Sequence, residues 1–118
     1  DSTIISRAKD SAQTQLPYLI DFFFQHLGDT NYEYVVKTPY GAADSLENMW
    51  SEVVSIFDTL MVTTLIDNPQ RIKNKVIGDT MVIHVADIQD WILFDYQREQ
   101  QVGSFQKMLR YQNQGFGQ

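Results

Sequence analysis

The chain has 118 residues, of which 43% are hydrophobic and 13% aromatic, which predicts one compact domain over residues 1–118 with a core large enough to fold alone. It contains no cysteine, which excludes disulfides, thiolate nucleophiles and cysteine-ligated zinc. Its 9 Lys and Arg against 15 Asp and Glu give a net charge of −6, which argues against nucleic acid as a partner.

The N-terminal region predicts helices. Apolar residues recur at helical spacing over the first 16 positions, at Ile4, Ile5, Ala8 and Ala12. Pro17 disfavours a helical conformation in the residue before it and suits the first turn of a helix, so PYLIDFFFQHLG predicts a second helix or a sharply kinked continuation ending near Gly28.

Beyond Gly28 the hydrophobic period changes from about 3.6 to about 2, which indicates strands. Five are predicted: YEYVVKTPY, LENMWSEVVSIF, LMVTTLI, TMVIHV and WILFDY. Helices, then a meander of strands, then a closing helix are typical of an α+β fold. We therefore predict one antiparallel sheet of about four to five strands, packed with N-terminal helices and a C-terminal helix.

Local signals refine this arrangement. Adjacent Val53 and Val54 break strict alternation, as a β-bulge does. Asn68 followed by Pro69 predicts a short helical turn. Ser104 is a candidate cap for the final helix, with Phe105, Met108 and Leu109 facing inward, and residues 112–118 are expected to be a disordered tail.

Three aspartates near one tryptophan form the most notable cluster of candidate site residues: Asp87, Asp90 and Asp95 around Trp91. Clustered carboxylates can divide acid and base roles or hold a hard cation such as Ca²⁺. VADIQDWILF, however, does not have the spacing of an EF-hand loop. The favoured interpretation is that Asp87 and Asp90 accept backbone hydrogen bonds in a turn while Trp91 fills the core.

Tyr32, Tyr34 and Tyr40 share one face of the first strand. Tyrosine is enriched in binding surfaces, so this face is a candidate contact surface for a protein partner if it is open. The most concentrated basic segment, Arg71, Lys73 and Lys75, is interpreted as a solvated turn or helix end.

No catalytic motif, metal-ligand spacing or cofactor loop is recognisable, so no catalytic residue, metal or cofactor is predicted. The favoured function is a non-enzymatic binding or protein-interaction module, regulatory or immunity-like. The alternative is a small metal-dependent hydrolase that uses the clustered aspartates, with His84 nearby.

The longest apolar run, LPYLIDFFF, is interrupted by Asp21 and too short to cross a bilayer, so no membrane insertion is predicted. The expected protein is soluble and cytoplasmic by default. The first residue is Asp1 rather than Met, which keeps export after removal of a leader open as an alternative.

The order of several short segments resembles the YegJ-like family of small bacterial domains of unknown function, over about residues 8 to 111. The segments are AKDSAQTQLPYLIDFF, YEYVVKTPY, ENMW, LIDNP, IGDTMVIHVADIQDW and VGSFQKMLR. The resemblance implies an α+β fold and assigns no catalytic residue. Near the end, VGSFQKM departs from the two glycines and aromatic-threonine pair that the family usually has.

Overall fold

The computed structural model describes residues 2–108, and within that range one long helix packs on a six-stranded antiparallel sheet. The elements are α1 (Ser2–Gln25), β1 (Tyr32–Tyr40), β2 (Glu47–Phe57), β3 (Leu60–Leu65), β4 (Thr80–His84), a 3₁₀ turn (Val85–Asp87), β5 (Asp90–Asp95) and β6 (Gln100–Gly103). A short C-terminal helix begins at Phe105. The predicted α+β class is confirmed.

α1 is one helix that runs through Pro17, so the expectation of two separate helices is wrong and the alternative, a continuation of the first helix, is the one observed. Proline removes one backbone hydrogen bond from a helix interior, which normally breaks or kinks it. Here Leu16 and Leu19, on either side of the proline, are 4% and 0% exposed on the same buried face. Packing of this face against the sheet therefore outweighs the local preference of proline.

The strands lie in the order β4-β3-β2-β1-β5-β6, and all neighbours are antiparallel. The predicted bulge is confirmed, because the pairing of β2 with β3 shifts register between Val53 and Ser55. Val53 and Ile56 can therefore both face the core although they lie three positions apart, an offset that would put them on opposite faces of a regular strand.

The connection from β4 to β5 shows that the sheet curls. Three strands lie between these two, which would put them about 19 Å apart in a flat sheet. The chain crosses in residues 85–89, part of it a 3₁₀ turn, with a reach of about 15 Å. The crossing starts with Val85 N donating to Thr59 O (2.9 Å) and ends with Gln89 N donating to Lys37 O (2.8 Å).

α1 lies against the concave face of this curled sheet. The core combines its buried side chains, Ala8, Ala12, Leu16, Leu19 and Phe23, with inward-facing strand residues such as Val36, Met49, Met61, Leu65 and Trp91. Gln13 also ties the helix to the crossing, since its Nε2 donates to Val85 O and Ile88 O, both at 2.9 Å. The opposite, convex face carries the alternate residues of each strand.

Two segments differ from prediction. β6, which no strand pattern predicted, pairs with β5 from Ile92↔Gly103 to Asp95↔Gln100. The predicted helical turn at Asn68-Pro69 is absent, and residues 66–79 form an irregular loop. In the C-terminal helix Phe105 is buried as predicted, but Met108, also predicted to face inward, is 53% exposed. The predicted tail, 112–118, and the predicted inward Leu109 lie outside the described residues.

Candidate functional site

Asp90 is a buried carboxylate that holds the start of the C-terminal helix. It is 2% exposed. Its Oδ1 accepts hydrogen bonds from the backbone N–H of Trp91 (2.9 Å) and of Phe105 (2.8 Å), and its Oδ2 accepts one from Gln106 (3.2 Å). The first N–H groups of a helix have no partner within the helix, so this carboxylate caps the helix from a distant strand.

Trp91 joins β5 to α1. Its side chain is 0% exposed, and its Nε1 donates to Ala12 O at 3.0 Å. The ring of Phe105 meets it edge-on at 5.2 Å between centroids. The interpretation of Asp90-Trp91 as a corner of the fold therefore agrees with the geometry, although β5 is followed by a further strand.

The three aspartates around Trp91 do not converge. Asp87 is exposed in the 3₁₀ turn. Asp90 and Asp95 stand at opposite ends of β5, about 17 Å apart, and on opposite faces of the sheet. Within residues 2–108, no group of three or more histidine and acidic side chains is placed to hold a metal ion.

Asp95 organises the turn between β5 and β6. Its Oδ1 accepts hydrogen bonds from Asn31 Nδ2 (2.8 Å) and from Arg98 N (3.2 Å), and Arg98 Nε lies 3.8 Å from its Oδ2. These contacts, first of all the bond from Asn31, hold the pKa of Asp95 below its usual value. They favour the ionised form of a carboxylate with a structural task.

The three tyrosines of β1 face the concave side, which α1 covers. Tyr34 is 7% exposed, and its ring meets that of Phe23 at 5.2 Å. Its buried hydroxyl has no hydrogen-bond partner within the described residues, and burial raises its pKa, with a smaller effect from Asp29. Tyr32 and Tyr40 are half-buried at the two ends of β1. The tyrosine face was a candidate contact surface only if it was open. Since α1 covers it, the open face of the sheet is the convex one.

The convex face exposes apolar side chains on three neighbouring strands. Val54, Phe57 and Val82 are 58%, 64% and 65% exposed. Pairing places Val82 opposite Val62 and Phe57 opposite Leu60, so these five residues form one patch, the apolar strip. No described element lies over it, since α1 packs on the other face and the C-terminal helix touches this face at a corner, through Lys37 and Gln106.

Two glutamates border the apolar strip, and we refer to Glu33 and Glu52 as the acid pair. Glu33 is on β1, and Glu52, on β2, pairs with Val35 two residues further along. Burial, the charge of Glu33 and a hydrogen bond between the two side chains raise the pKa of Glu52. Tyr96 Oη donates to Glu33 Oε1, and this bond is the main cause that raises the pKa of Tyr96.

The acid pair opens into a cleft of about 340 Å³ between the α1–β1 loop and the strand ends. Carboxylates of Asp29, Glu33 and Glu52 and the rings of Tyr32 and Tyr96 line it. Tyr32 is thus the one sequence-predicted site residue that lines this cleft. Such a lining suits a cationic organic group, whose charge the carboxylates attract and whose stem the rings contact.

The acid pair and Tyr96 were not predicted from the sequence. The alternation in YEYVVK places Glu33 on the face opposite the tyrosines, and this much could be predicted from the sequence. Its proximity to Glu52 depends on the register between β1 and β2, and its contact with Tyr96 on the position of β5 beside β1. Neither follows from local pattern.

Fold and surface together define a small α+β domain whose curled sheet covers one helix and leaves its convex face accessible. Among residues 2–108, no helix is both long and apolar enough to cross a membrane.

The chain belongs to a bacterial family of uncharacterised proteins: the model of the family described as "Uncharacterized protein conserved in bacteria (DUF2314)" matches residues 5–113. No curated protein and no solved structure was found to match it. The prediction of a bacterial domain of unknown function is thereby confirmed, and the narrower name, YegJ-like, stays a prediction.

Proposed function

We propose that this chain is a protein-interaction domain that binds a protein partner through its convex sheet face. The observation that carries the proposal is the apolar strip, in which Val54, Phe57 and Val82 are each more than half exposed and β3 residues connect them. A contiguous exposed apolar patch bordered by polar groups is typical of a binding surface.

The acid pair supplies the polar part of this surface. Burial raises the pKa of Glu52, and the charge of Glu33 adds to the effect, because two carboxylates in contact repel each other when both are ionised. A lysine or arginine side chain of a partner would relieve this repulsion and gain a charge-assisted hydrogen bond. We therefore propose a partner that presents an apolar patch beside a basic residue, and that this domain regulates or neutralises it.

The test compares capture of proteins from a lysate of the source organism by three forms of the domain. Phe57→Ser with Val82→Ser alters the apolar strip, and Phe24→Ser with Leu27→Ser alters similarly exposed residues of the α1 end, 49% and 64% exposed. We expect a stoichiometric partner that the wild type and the α1 control retain and the strip variant loses.

Retention of the same partner by the strip variant would contradict the proposal. Sedimentation of the wild type alone checks for self-association. If the wild type is a dimer and the strip variant is a monomer, the apolar strip is a contact between copies of this chain instead.

The hydrolase alternative has no specific observation in its favour, because the aspartates around Trp91 are separated. We further propose that the chain is one of the YegJ-like members of its family, which the ordered segments from Asn68-Pro69 to Asp90-Trp91 support.

A further inference from the structure

The loop between β3 and β4 concentrates positive charge on an acidic chain. Arg71, Lys73 and Lys75 occupy alternate positions in QRIKNKVIGD, residues 70–79, which we call the basic loop. No ion pair involves these three side chains in the described part of the chain, where Arg98 and Asp95 do form one. The charges of Lys73 and Lys75 are therefore available to a ligand, whereas that of Arg71 is partly balanced by the nearby carboxylate of Glu47.

Carboxylates hold the backbone of the basic loop in place. Glu47, at the start of β2, accepts hydrogen bonds from the N–H of Gln70 (2.7 Å), Arg71 (2.8 Å) and Ile72 (3.2 Å). These bonds, that from Gln70 first, lower the pKa of Glu47, and the charge of Arg71 adds to the effect. At the other end of the loop, Asp79 Oδ2 accepts a bond from Val76 N at 3.0 Å.

Two aliphatic side chains follow the cations directly. Val76 and Ile77 are 61% and 59% exposed. Lys75 is held beside them, with its Nζ 5.5 Å from the centre of the Tyr40 ring. The fixed loop thus presents cations and adjacent exposed aliphatic groups together, which the structural task of joining two strands does not require.

We propose that the basic loop docks on an anionic lipid surface. Lys73, Lys75 and Arg71 would meet headgroup phosphates, and Val76 and Ile77 would enter the boundary with the acyl chains. Screening over about 8 Å at physiological ionic strength makes the local charge of the loop matter more than the net charge of the chain. A nucleic acid is less favoured, because single-strand binding uses aromatic stacking and aliphatic side chains offer none.

The test is sedimentation of the whole domain with vesicles of phosphatidylcholine alone or mixed with phosphatidylglycerol. We expect binding to the mixed vesicles that weakens with added salt. Lys73→Gln with Lys75→Gln should weaken it about 30-fold, the effect of two surface cations. Val76→Ser with Ile77→Ser should weaken it roughly tenfold. Arg7→Gln with Lys9→Gln on α1 removes the same charge elsewhere and should change binding little.

Three results would overturn this proposal: equal binding to both kinds of vesicle, an equal loss in the α1 control, or unchanged binding in the aliphatic variant. The last would identify a general contact for polyanions, which a competing acidic polypeptide or DNA duplex would displace. All of these outcomes are independent of the convex face and of its partner.

Discussion

Acidic and aromatic side chains meet in two regions of this protein with opposite consequences. At the corner, Asp90 is buried and its carboxylate accepts three backbone hydrogen bonds, while Trp91 is enclosed and its indole N–H is bonded. On the convex face, Glu33 and Glu52 face each other, and burial and the neighbouring charge raise the pKa of Glu52. The first region stabilises the fold, whereas the second leaves two carboxylates in contact with each other.

In both regions the role of a carboxylate depends on its hydrogen-bond and charge partners in the fold more than on its neighbours in sequence. Asp90 adjoins a tryptophan and stands near two further aspartates, which suggested chemistry, yet its oxygens are occupied by backbone donors. Glu33 lies between two tyrosines in a plain strand pattern, and it borders the accessible cleft.

The largest expected effect is at the corner. Trp91→Ala should lower the free energy of unfolding by about 3 to 5 kcal/mol, because it removes a fully buried ring and leaves a cavity between β5 and α1. Denaturant unfolding followed by circular dichroism measures the loss. Trp91→Phe, which keeps an aromatic ring and loses the bond to Ala12, should cost less. A Trp91→Ala protein of wild-type stability would show that Trp91 does not stabilise the fold.

The next effect separates two aspartates that the sequence places together. Asp90→Ala should cost about 2 to 4 kcal/mol, because it leaves buried N–H groups of Trp91 and Phe105 without an acceptor. Asp87→Ala is the matched control, since Asp87 is exposed, and it should change stability by less than about 0.5 kcal/mol. A loss in Asp90→Ala as small as that expected for Asp87→Ala would mean that the cap at Asp90 does not stabilise the C-terminal helix.

Much of the fold could be predicted because its signals are local. The strand patterns and the bulge at Val53 depend on neighbours in sequence. The role of Asp90 as an acceptor of backbone hydrogen bonds was predicted, but its bonds from Phe105 and Gln106 come from 15 and 16 positions away. β6 could not be predicted, because QQVG has no alternation and pairs with β5 through a tight turn whose Glu99 has a φ of +53°.

The errors share a cause, which is tertiary contact overriding local preference. Pro17 lies inside a continuous helix because its neighbours are buried. The N–H groups of residues 70–72, which a helical turn would leave free, are satisfied instead by Glu47, 23 to 25 positions away. Sequence also does not say which face of the sheet α1 covers, so a binding role of Tyr32, Tyr34 and Tyr40 stays a prediction.

The smallest expected effect is the pH dependence of stability, which Glu52 and Asp95 should change in opposite directions. Glu52 has a raised pKa, so as pH falls from above its folded pKa towards its ordinary value of 4.5, the folded state takes up a proton before the unfolded state does. Its contribution to stability therefore improves as pH falls through that window. Asp95, whose pKa is lowered, contributes stability above its ordinary value of 3.8 that is lost as pH falls through its folded pKa.

Free energies of unfolding from pH 3 to 7 distinguish the two signs. Glu52→Gln should be as stable as the wild type or slightly more stable at pH 7, and it should lack the change above pH 4.5, because glutamine keeps a hydrogen bond to Glu33 without the repulsion. Asp95→Asn should be less stable at pH 7 and lose less in acid. If Glu52→Gln were instead less stable than the wild type at pH 7, the acid pair would be part of the scaffold like Asp90, and its open acceptor capacity would no longer support a basic partner on the convex face.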